Sequence, residues 1–497
     1  MSAHPALFMV DVLSEIFEWY DSRVFMDEFS VTRLSERTTT LAQSARVCKS
    51  FHQAAIRVLW RSPHGFFPVL KLLPSLRQVV GVDGKPFADG GYEIYYFPAD
   101  IPQSEWDRML QHSFYVETLQ AWEYDRGATL TPTSWSTLDR FAKVHRIFPN
   151  MRWINWSVEL SQPPSILGSL CEGTTGLRGT FHCDSTANSP DEHTRVLWHS
   201  HLERLLAAIC SHTSRLLSLR FDIGDLSPSA VVPQIPALAS LLEFTLSSGH
   251  GSVDLSHMQG LASMPALDTI SFSSTVTGAF PVGLDPSDSF RSLEDLSLGQ
   301  WDANSAIFSC PSLKRFGITD YAYRGAHILR GHCKTWADSF PRLEKFTCYM
   351  RTANLEDDDR RHSFSSVIDP LFSLCTLQHV AVSYSTFIPF SVEDADIVNI
   401  SEAWPSLVHL DIYEASLDTD YPSCTAGLPG LLALARNCPH LTTLSLRRLS
   451  IHPEDLSTTS AESVDHGLQQ LTVPHGITDD IRKLLASRMF PHLQVNG

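Results

Sequence analysis

The sequence predicts an α/β solenoid, a stack of short parallel strands with helical returns, and three observations carry that expectation. A template of the form Pro-x-Leu-x-x-Leu-x-Leu recurs, most clearly at Pro405-Ser406-Leu407 leading into Leu410 and Ile412. Copies run from Pro311 and Leu313 into Phe316 and Ile318, from Pro341 and Leu343 into Phe346 and Cys348, and from Pro439 and Leu441 into Leu444 and Leu446. The first template residues fall at 216, 241, 267, 293, 313, 343, 377, 407, 441 and 468, steps of 25 to 34 with one of 20. Between them lie helix-compatible segments over 197–210, 326–339, 367–375, 428–437 and 479–489, several ending at an aromatic residue or Cys followed by Pro. Self-similarity at this period marks stacked supersecondary units.

Strand alternation assigns the faces. Leu410 and Ile412 point inward with Leu407, while His409, Asp411 and Tyr413 point out. One strand cannot bury its apolar side alone, but a stack builds a continuous core. The arrangement is that of a leucine-rich-repeat horseshoe, parallel strands concave and helices convex. The usual Asn or Cys three residues past the strand is replaced by Trp301, Tyr321, Ser385, Ala415 and Leu449, so the turns are expected to differ and the arc to be irregular.

Composition bounds the rest. The chain has 497 residues, 43% apolar and 19% charged, a folded composition, with net charge −17. Without a Lys/Arg cluster, no nucleic-acid or anionic-membrane partner is expected. Asp11 and Glu15 interrupt the apolar stretch a signal peptide needs, and no run of 18 apolar residues exists to span a membrane. Ten scattered cysteines with no CxxC pair read as reduced, intracellular usage, cytoplasmic or nuclear. The sequons at Asn155 and Asn399 are then chance matches.

Taken in order, residues 6–20 read as a helix with two apolar stripes, Val12, Ile16 and Trp19 on one and Val10, Leu13, Phe17 and Tyr20 on the other. A small domain needs only one stripe for its own core, so the second points to a partner or to burial within the domain. Residues 21–37 read as a loop and 40–61 as two short helices broken near Cys48 to Ser50. Ser62-Pro63 ends the second, and an apolar turn over 66–73 stops at Pro74. Ser104 reads as the N-cap of a helix to His112, Val116, Leu119 and Ala121 as a degenerate first strand, and 134–148 as a helix. The boundaries are 1–74 for the helical domain, 75–148 for linker and degenerate repeats, and 149–497 for the solenoid.

Val12-Leu-Ser-Glu-Ile-Phe17, Ala45-Arg-Val-Cys-Lys-Ser-Phe51, Ala55 with Val58-Leu-Trp-Arg61, and 70–74 together resemble the F-box-like motif of fungal F-box proteins, which commonly carry leucine-rich repeats behind it. The chain departs from the family's usual Leu-Pro-x-Glu opening, having Phe8-Met9-Val10-Asp11. The resemblance implies a substrate receptor of an SCF-type cullin–RING ubiquitin ligase, docking on a SKP-family adaptor, and through it a cullin, by way of Val12, Leu13, Ile16, Leu41, Val47, Phe51 and Trp60. The alternative is a repeat scaffold working outside a ubiquitin ligase.

Chemistry is sparse. No P-loop, dinucleotide fingerprint, HExxH or nucleophile elbow occurs in a suitable context. Gly249-His-Gly-Ser252 reads as a turn, the acidic run 356–362 as a solvated loop insertion, and His182-Cys183 and His332-Cys333 lack companion pairs at zinc spacing. No catalysis, cofactor or metal is expected. Parity places Trp153, Asn155, Arg220 and Asp222 outward early in the stack and mostly small groups (Thr269, Ser271, Asp295, Ser297, Gly317) in its middle. Aromatic and Arg residues dominate interface energies. The expected surface for an unknown protein substrate is therefore Lys345, Tyr349, His409, Asp411, Tyr413 and Arg447, with Ser445 beside them.

Overall fold

The computed structural model describes residues 9–494 apart from 21–30, 64, 81–87, 90–91, 121–127, 159–163, 171, 182–191, 225, 250, 279–289, 302–309, 353–361, 386–389, 416–425, 453, 455–465 and 474–477. Fourteen of the described strands belong to a mostly parallel sheet flanked by helices, an α/β leucine-rich-repeat solenoid. The chain divides into two compact units, Met1–Glu243 and Phe244–Gly497. The expected boundaries at 74/75 and 148/149 fall inside the first.

The first unit opens with α1 (Val10–Glu18), α2 (Val31–Ser44), α3 (Lys49–Arg61) and the short α4 (Phe67–Leu70). Leu13, Phe17, Leu41, Ala45, Ala54, Ala55 and Val58 form the common core of the first three. Residues 31–37, expected as loop, open α2, and 21–30 lie outside the described residues. The helix break comes earlier than expected, at 45–48. There the Ala45, Arg46 and Val47 amides fold back on Leu41, Gln43 and Ser44 carbonyls, and Cys48 is extended.

Next come β1 (Arg77–Gln78), β2 (Ala88–Asp89) and β3 (Tyr92–Tyr96), α5 (Gln103–Ser113), β4 (Thr118–Gln120), β5 (Ala128–Leu130) and α6 (Pro132–Ala142). The expected Ser104 cap is displaced: α5 starts at Gln103 with Pro102 in the cap position. The repeats continue with β6 (Trp153–Val158), α7 (Pro164–Leu170), β7 (Gly176–Phe181), α8 (Glu192–His212) and β8 (Ser218–Asp222), and β4, β6, β7 and β8 are parallel neighbours. Arg61 fastens the helical module to this stack. It is buried, lies 3.1 Å from Glu18 and 3.6 Å from Glu117, and its carbonyl accepts the Glu117 amide at the start of the first strand.

The second unit runs through β9 (Glu243–Ser247), β10 (Ser252–Asp254), α9 (Gln259–Ala262), β11 (Thr269–Thr277), β12 (Asp295–Trp301), β13 (Arg315–Tyr323), α10 (Ala326–Ser339), β14 (Lys345–Thr352) and β15 (His362–Ser363). It continues through α11 (Phe364–Ile368), β16 (His379–Ser385), β17 (Phe390–Ser391), α12 (Asp394–Ala403), β18 (His409–Ala415), α13 (Leu428–Asn437), β19 (Thr443–Leu446), β20 (Gln470–Thr472) and α14 (Asp479–Arg488). The helices over 326–339 and 428–437 fall where expected. The segment 367–375 is instead the end of α11 followed by a 3₁₀ turn over Asp369–Ser373, in which Pro370 supplies no amide to an α-helical ladder.

One turn repeats. The residue just past the helix end (Leu238, Phe340, Leu374, Trp404, Cys438) is buried and sits near ψ 63–73°. Its carbonyl accepts the amide of the template leucine three residues on, as Trp404 does from Leu407 at 3.1 Å. A following proline, as at Pro341, Pro405 and Pro439, disfavours the helical region and so stops the helix there. The next two amides then both reach one carbonyl just before the preceding strand: Val408 and His409 donate to Gln378 at 2.7 and 3.0 Å.

The missing Asn is replaced by strand extension. β13 shifts register between Ile318 and Tyr321, so Tyr321 and Tyr323 turn inward beyond Phe316 and Ile318. Tyr321 meets Trp336 edge-on and its hydroxyl pairs with His332 Nδ1 at 2.7 Å, while Cys333 is buried. This His-Cys pair therefore serves the core; His182-Cys183 and 356–361 lie outside the described residues. Helix α12, which is not among the expected helical segments, is held from both sides by its acids. Asp396, buried, accepts the Ser365 amide at 2.9 Å, the Glu393 amide at 2.7 Å and the Ser363 hydroxyl. Asp394 accepts the Gly427 and Gly430 amides at 2.7 and 2.9 Å. A Cβ at Gly430 would stand 2.9 Å from that carboxylate and 3.1 Å from Ile397 Cβ, so only glycine allows the approach.

Asp396→Ala leaves two amides unpaired in a closed interior and is expected to lower unfolding free energy by about 3 kcal/mol, measured by urea denaturation. A pH dependence follows from His201, buried on α8 with Nε2 unpartnered. Burial, and secondarily Arg204, lowers its pKa to about 4 against an unfolded value of about 6.5. Below pH 6.5 the unfolded chain takes a proton the folded chain refuses. Stability is thus full above 6.5 and falls toward pH 4, by on the order of 2 kcal/mol, a slope that His201→Gln removes in denaturant melts across that range.

Candidate functional site

Two surfaces stand apart from the core, one in each unit. On α1 the stripe containing Leu13 and Phe17 packs inward and the stripe with Ile16 and Trp19 stays open, Trp19 at 71% exposure. Val10 and Tyr20 are partly open beside it, and Val47, in the turn after α2, is 66% exposed. Val12 is half-buried. Leu13 and Leu41 lie inside the helical core, where they join the helices and offer no surface to a partner. Phe51 packs edge-on against Phe17 at 5.7 Å, and Trp60 lies 5.2 Å from His112 on α5. Of the seven residues expected at an adaptor surface, Ile16 and Val47 are the open ones. Periodicity finds both stripes, and only packing shows which is spent on the core.

The second surface is the outward side of β14, β16, β18 and β19. Parallel registers set it out in rows: Lys345, His379, His409 and Thr443; then Thr347, Ala381, Asp411 and Ser445; then Tyr349, Ser383 and Tyr413. The inward residues Phe346, Val380, Leu410 and Leu444, with Cys348, Val382, Ile412 and Leu446, are all buried, which fixes the parity. Arg447 follows the end of β19, next in line beyond Tyr413. The expected surface omits the members from β16, although the template at Leu377 locates that strand; parity counted from Leu377 gives His379, Ala381 and Ser383.

Charge on this surface is uneven. Arg315 is bound to Asp295 at 2.8 Å on the two preceding strands, so that part is neutralised. Lys345 is exposed. The rings of His379 and His409 stack at 6.1 Å. Burial holds the His379 pKa below its ordinary value, with His409 and then Lys345 adding to the effect, so His379 is uncharged at neutral pH. Tyr349 and Tyr413 are 42% and 40% exposed, two strands apart with Ser383 between them. Asp411 is half-buried, and its Oδ1 is shielded from solvent without a hydrogen-bond partner. In the first unit, Trp153 lies over Gly176, where a Cβ would stand 1.9 Å from its ring, so Trp153 is spent on the neighbouring strand. Arg220 is bound to Glu243 at 2.6 Å.

Among the described residues no His, Cys, Asp and Glu cluster could hold a metal ion, and no helix is long and apolar enough to cross a membrane. The buried thiols are poor nucleophiles: burial pushes Cys438 up to about 12 and raises Cys310 and Cys333.

Neither a family profile nor a curated protein matches the sequence. Among solved structures, the TLR13–ssRNA13 complex is similar, with TM-score 0.38 and 15% identity over 78% of this chain and 47% of that one. The plant peptide hormone receptor RGFR1, in complex with RGF2, is similar with TM-score 0.31 and 12% identity over 75% of this chain and 49% of that one. The chain thus spans about half the length of these structures.

The parity assignment is tested by paired substitutions. Tyr349→Ala and Tyr413→Ala are expected to change unfolding free energy by less than about 0.5 kcal/mol. Tyr384→Ala, at the buried end of β16, is expected to cost about 3–5 kcal/mol in the same denaturant titration.

Proposed function

We propose that this chain is the substrate-recruiting subunit of an SCF-type cullin–RING ubiquitin ligase. The helical module binds a SKP-family adaptor, and the outward side of the later repeats binds the target protein. The observation that carries this reading is the open stripe of α1. A helix whose Leu13 and Phe17 already complete the module's core still presents Ile16 and Trp19 to solvent, with Val47 on the same module. Exposed apolar groups concentrated on one small module mark a protein interface. Arg61, held between Glu18 and Glu117, gives that interface a fixed position relative to the first repeat strand. A receptor needs this, because it acts by holding its target in place while a separate conjugating enzyme performs the transfer. No residue of this chain is assigned to catalysis.

A second reading, a scaffold outside a ubiquitin ligase, is favoured by one feature. Met9 occupies the cap of α1 without a side-chain cap, where the family's opening places a proline. Co-purification with a SKP-family adaptor separates the two. The ligase reading expects a stoichiometric complex, with Ile16→Asp/Val47→Asp weakening it at least 100-fold and leaving the melting profile unchanged, since both positions are exposed. A wild-type chain that forms no complex overturns the ligase reading and leaves the scaffold.

A further inference from the structure

The first outward row of the later repeats carries basic groups on consecutive strands. Parallel register sets Arg315, Lys345, His379 and His409 side by side on β13, β14, β16 and β18, and Thr443 follows on β19. Neighbouring strands lie about 4.8 Å apart, so Lys345, His379 and His409 occupy a span of about 10 Å. The two imidazoles stack at 6.1 Å with their planes 30° apart. Lys345 is exposed, and both histidines are half-buried with part of their surface open to solvent. All three can be reached from outside.

The chain's own acids leave these three groups unmatched. Arg315 is held by Asp295 and Lys314 by Glu294, which engages the acids at the entries of β12 and β13. Glu344 precedes Lys345, and Asp411 stands in the next outward row of β18. Among the described residues, neither forms an ion pair with Lys345 or with either imidazole. Gln378, Val408 and Thr443, at the entries of β16, β18 and β19, bring no charge. The consequence shows in His379, whose pKa lies below its ordinary value through burial first and then through the like charges of His409 and Lys345. Its protonated form is opposed from the strands on both sides.

We infer that this row receives an acidic segment of the bound protein, with two carboxylates on alternate residues of an extended chain meeting Lys345, His379 and His409. Alternate side chains of an extended chain stand about 6.6–6.8 Å apart, inside the span of the row. An ammonium and a protonated imidazole both donate charge-assisted hydrogen bonds to a carboxylate. A phosphate is less suited, because the arginine of the row, the residue type whose fork matches that group, is already held by Asp295. The net charge of −17 opposes acidic peptides in general, so recognition here depends on local charge. The proposal rests on the later repeats being the target surface, and it names the chemistry of the target they read. Binding carries a pH signature. An anion stabilises the imidazolium, so the complex takes up protons and affinity grows as pH falls from about 8 toward about 6.

The test titrates the full chain at low salt, where surface charge is least screened. The probes are acetyl-Gly-Glu-Gly-Glu-Gly-amide, its glutamine counterpart and acetyl-Gly-Gly-phosphoserine-Gly-Gly-amide, followed by NMR line broadening at about pH 8 and about pH 6. The expected result is saturable binding of the glutamate peptide, at least tenfold tighter than the glutamine peptide and at least threefold tighter at the lower pH. Lys345→Gln weakens it at least fivefold at both pH values. His379→Gln/His409→Gln keeps the binding seen at about pH 8 and removes the gain toward about pH 6. Equal binding of the glutamate and glutamine peptides, no gain at the lower pH, an unchanged affinity in Lys345→Gln, or no saturable binding overturns the inference. Tighter binding of the phosphoserine peptide than of the glutamate peptide at about pH 6 overturns the choice of carboxylates. Co-purification with a SKP-family adaptor keeps the two claims apart. Acidic selectivity without adaptor binding sinks the ligase reading only, and adaptor binding without selectivity sinks the row only.

Discussion

The solenoid steps through two consecutive amides donating to one carbonyl at the entry of the strand before. Glu117 accepts from Arg152 and Trp153, Arg152 from Thr175 and Gly176, and Thr175 from Leu217 and Ser218. In the second unit the series runs through Asp268, Glu294, Lys314, Glu344, Gln378, Val408 and Thr442, each accepting from the pair that opens the next strand. The carbonyl that receives the pair belongs to the residue before the strand, so every strand starts at the same height as its neighbour. Register is thereby set at one end, and alternation carries it along the strand. Slipping one residue would exchange Leu410 and Ile412 for His409 and Asp411 in the core. The outward rows are consequences of this end-fixing.

What the usual turn asparagine does elsewhere is shared among several devices here. Hydroxyls take part of the work: Ser312 donates to the Leu293 carbonyl, Thr376 to Leu343 and Thr442 to Val408. Extended strands take another part, keeping backbone groups in the ladder through Tyr323 on β13 and Ser385 on β16. The carboxylates of α12 supply the rest by binding the amides that start α11 and α13. Because each device suits only its own repeat, the return segments range from the 21 residues of α8 to the 3₁₀ turn after α11.

The same physics explains what could be read from the sequence. The template leucines were legible because one residue type at one spacing meets one need, the turn that closes on a buried helix-end carbonyl. Helices α10 and α13 were legible because apolar positions recur on one face and a buried aromatic or Cys before proline marks their ends. Helix α12 was not, since its acids act through partners some 30 residues away. The inward turn of Tyr321 was hidden because a register shift breaks alternation, and sequence parity cannot detect a shift. At the N-terminus, periodicity gave two stripes on α1 but could not distinguish the one matched by Ala54, Ala55 and Val58 from the one left open. The Arg61 bridge between Glu18 and Glu117 joins residues far apart in sequence and had no local signature.

The central claim is that one module is spent on an adaptor while the strand rows stay free for a target. Hydrogen–deuterium exchange of the full chain, alone and with a SKP-family adaptor, tests this most directly. The account predicts slowed exchange confined to Val10–Glu18 and the turn at 45–48, with no change over β14, β16 and β18. Protection of those strands by the adaptor, or an unaltered α1 in a formed complex, would contradict it.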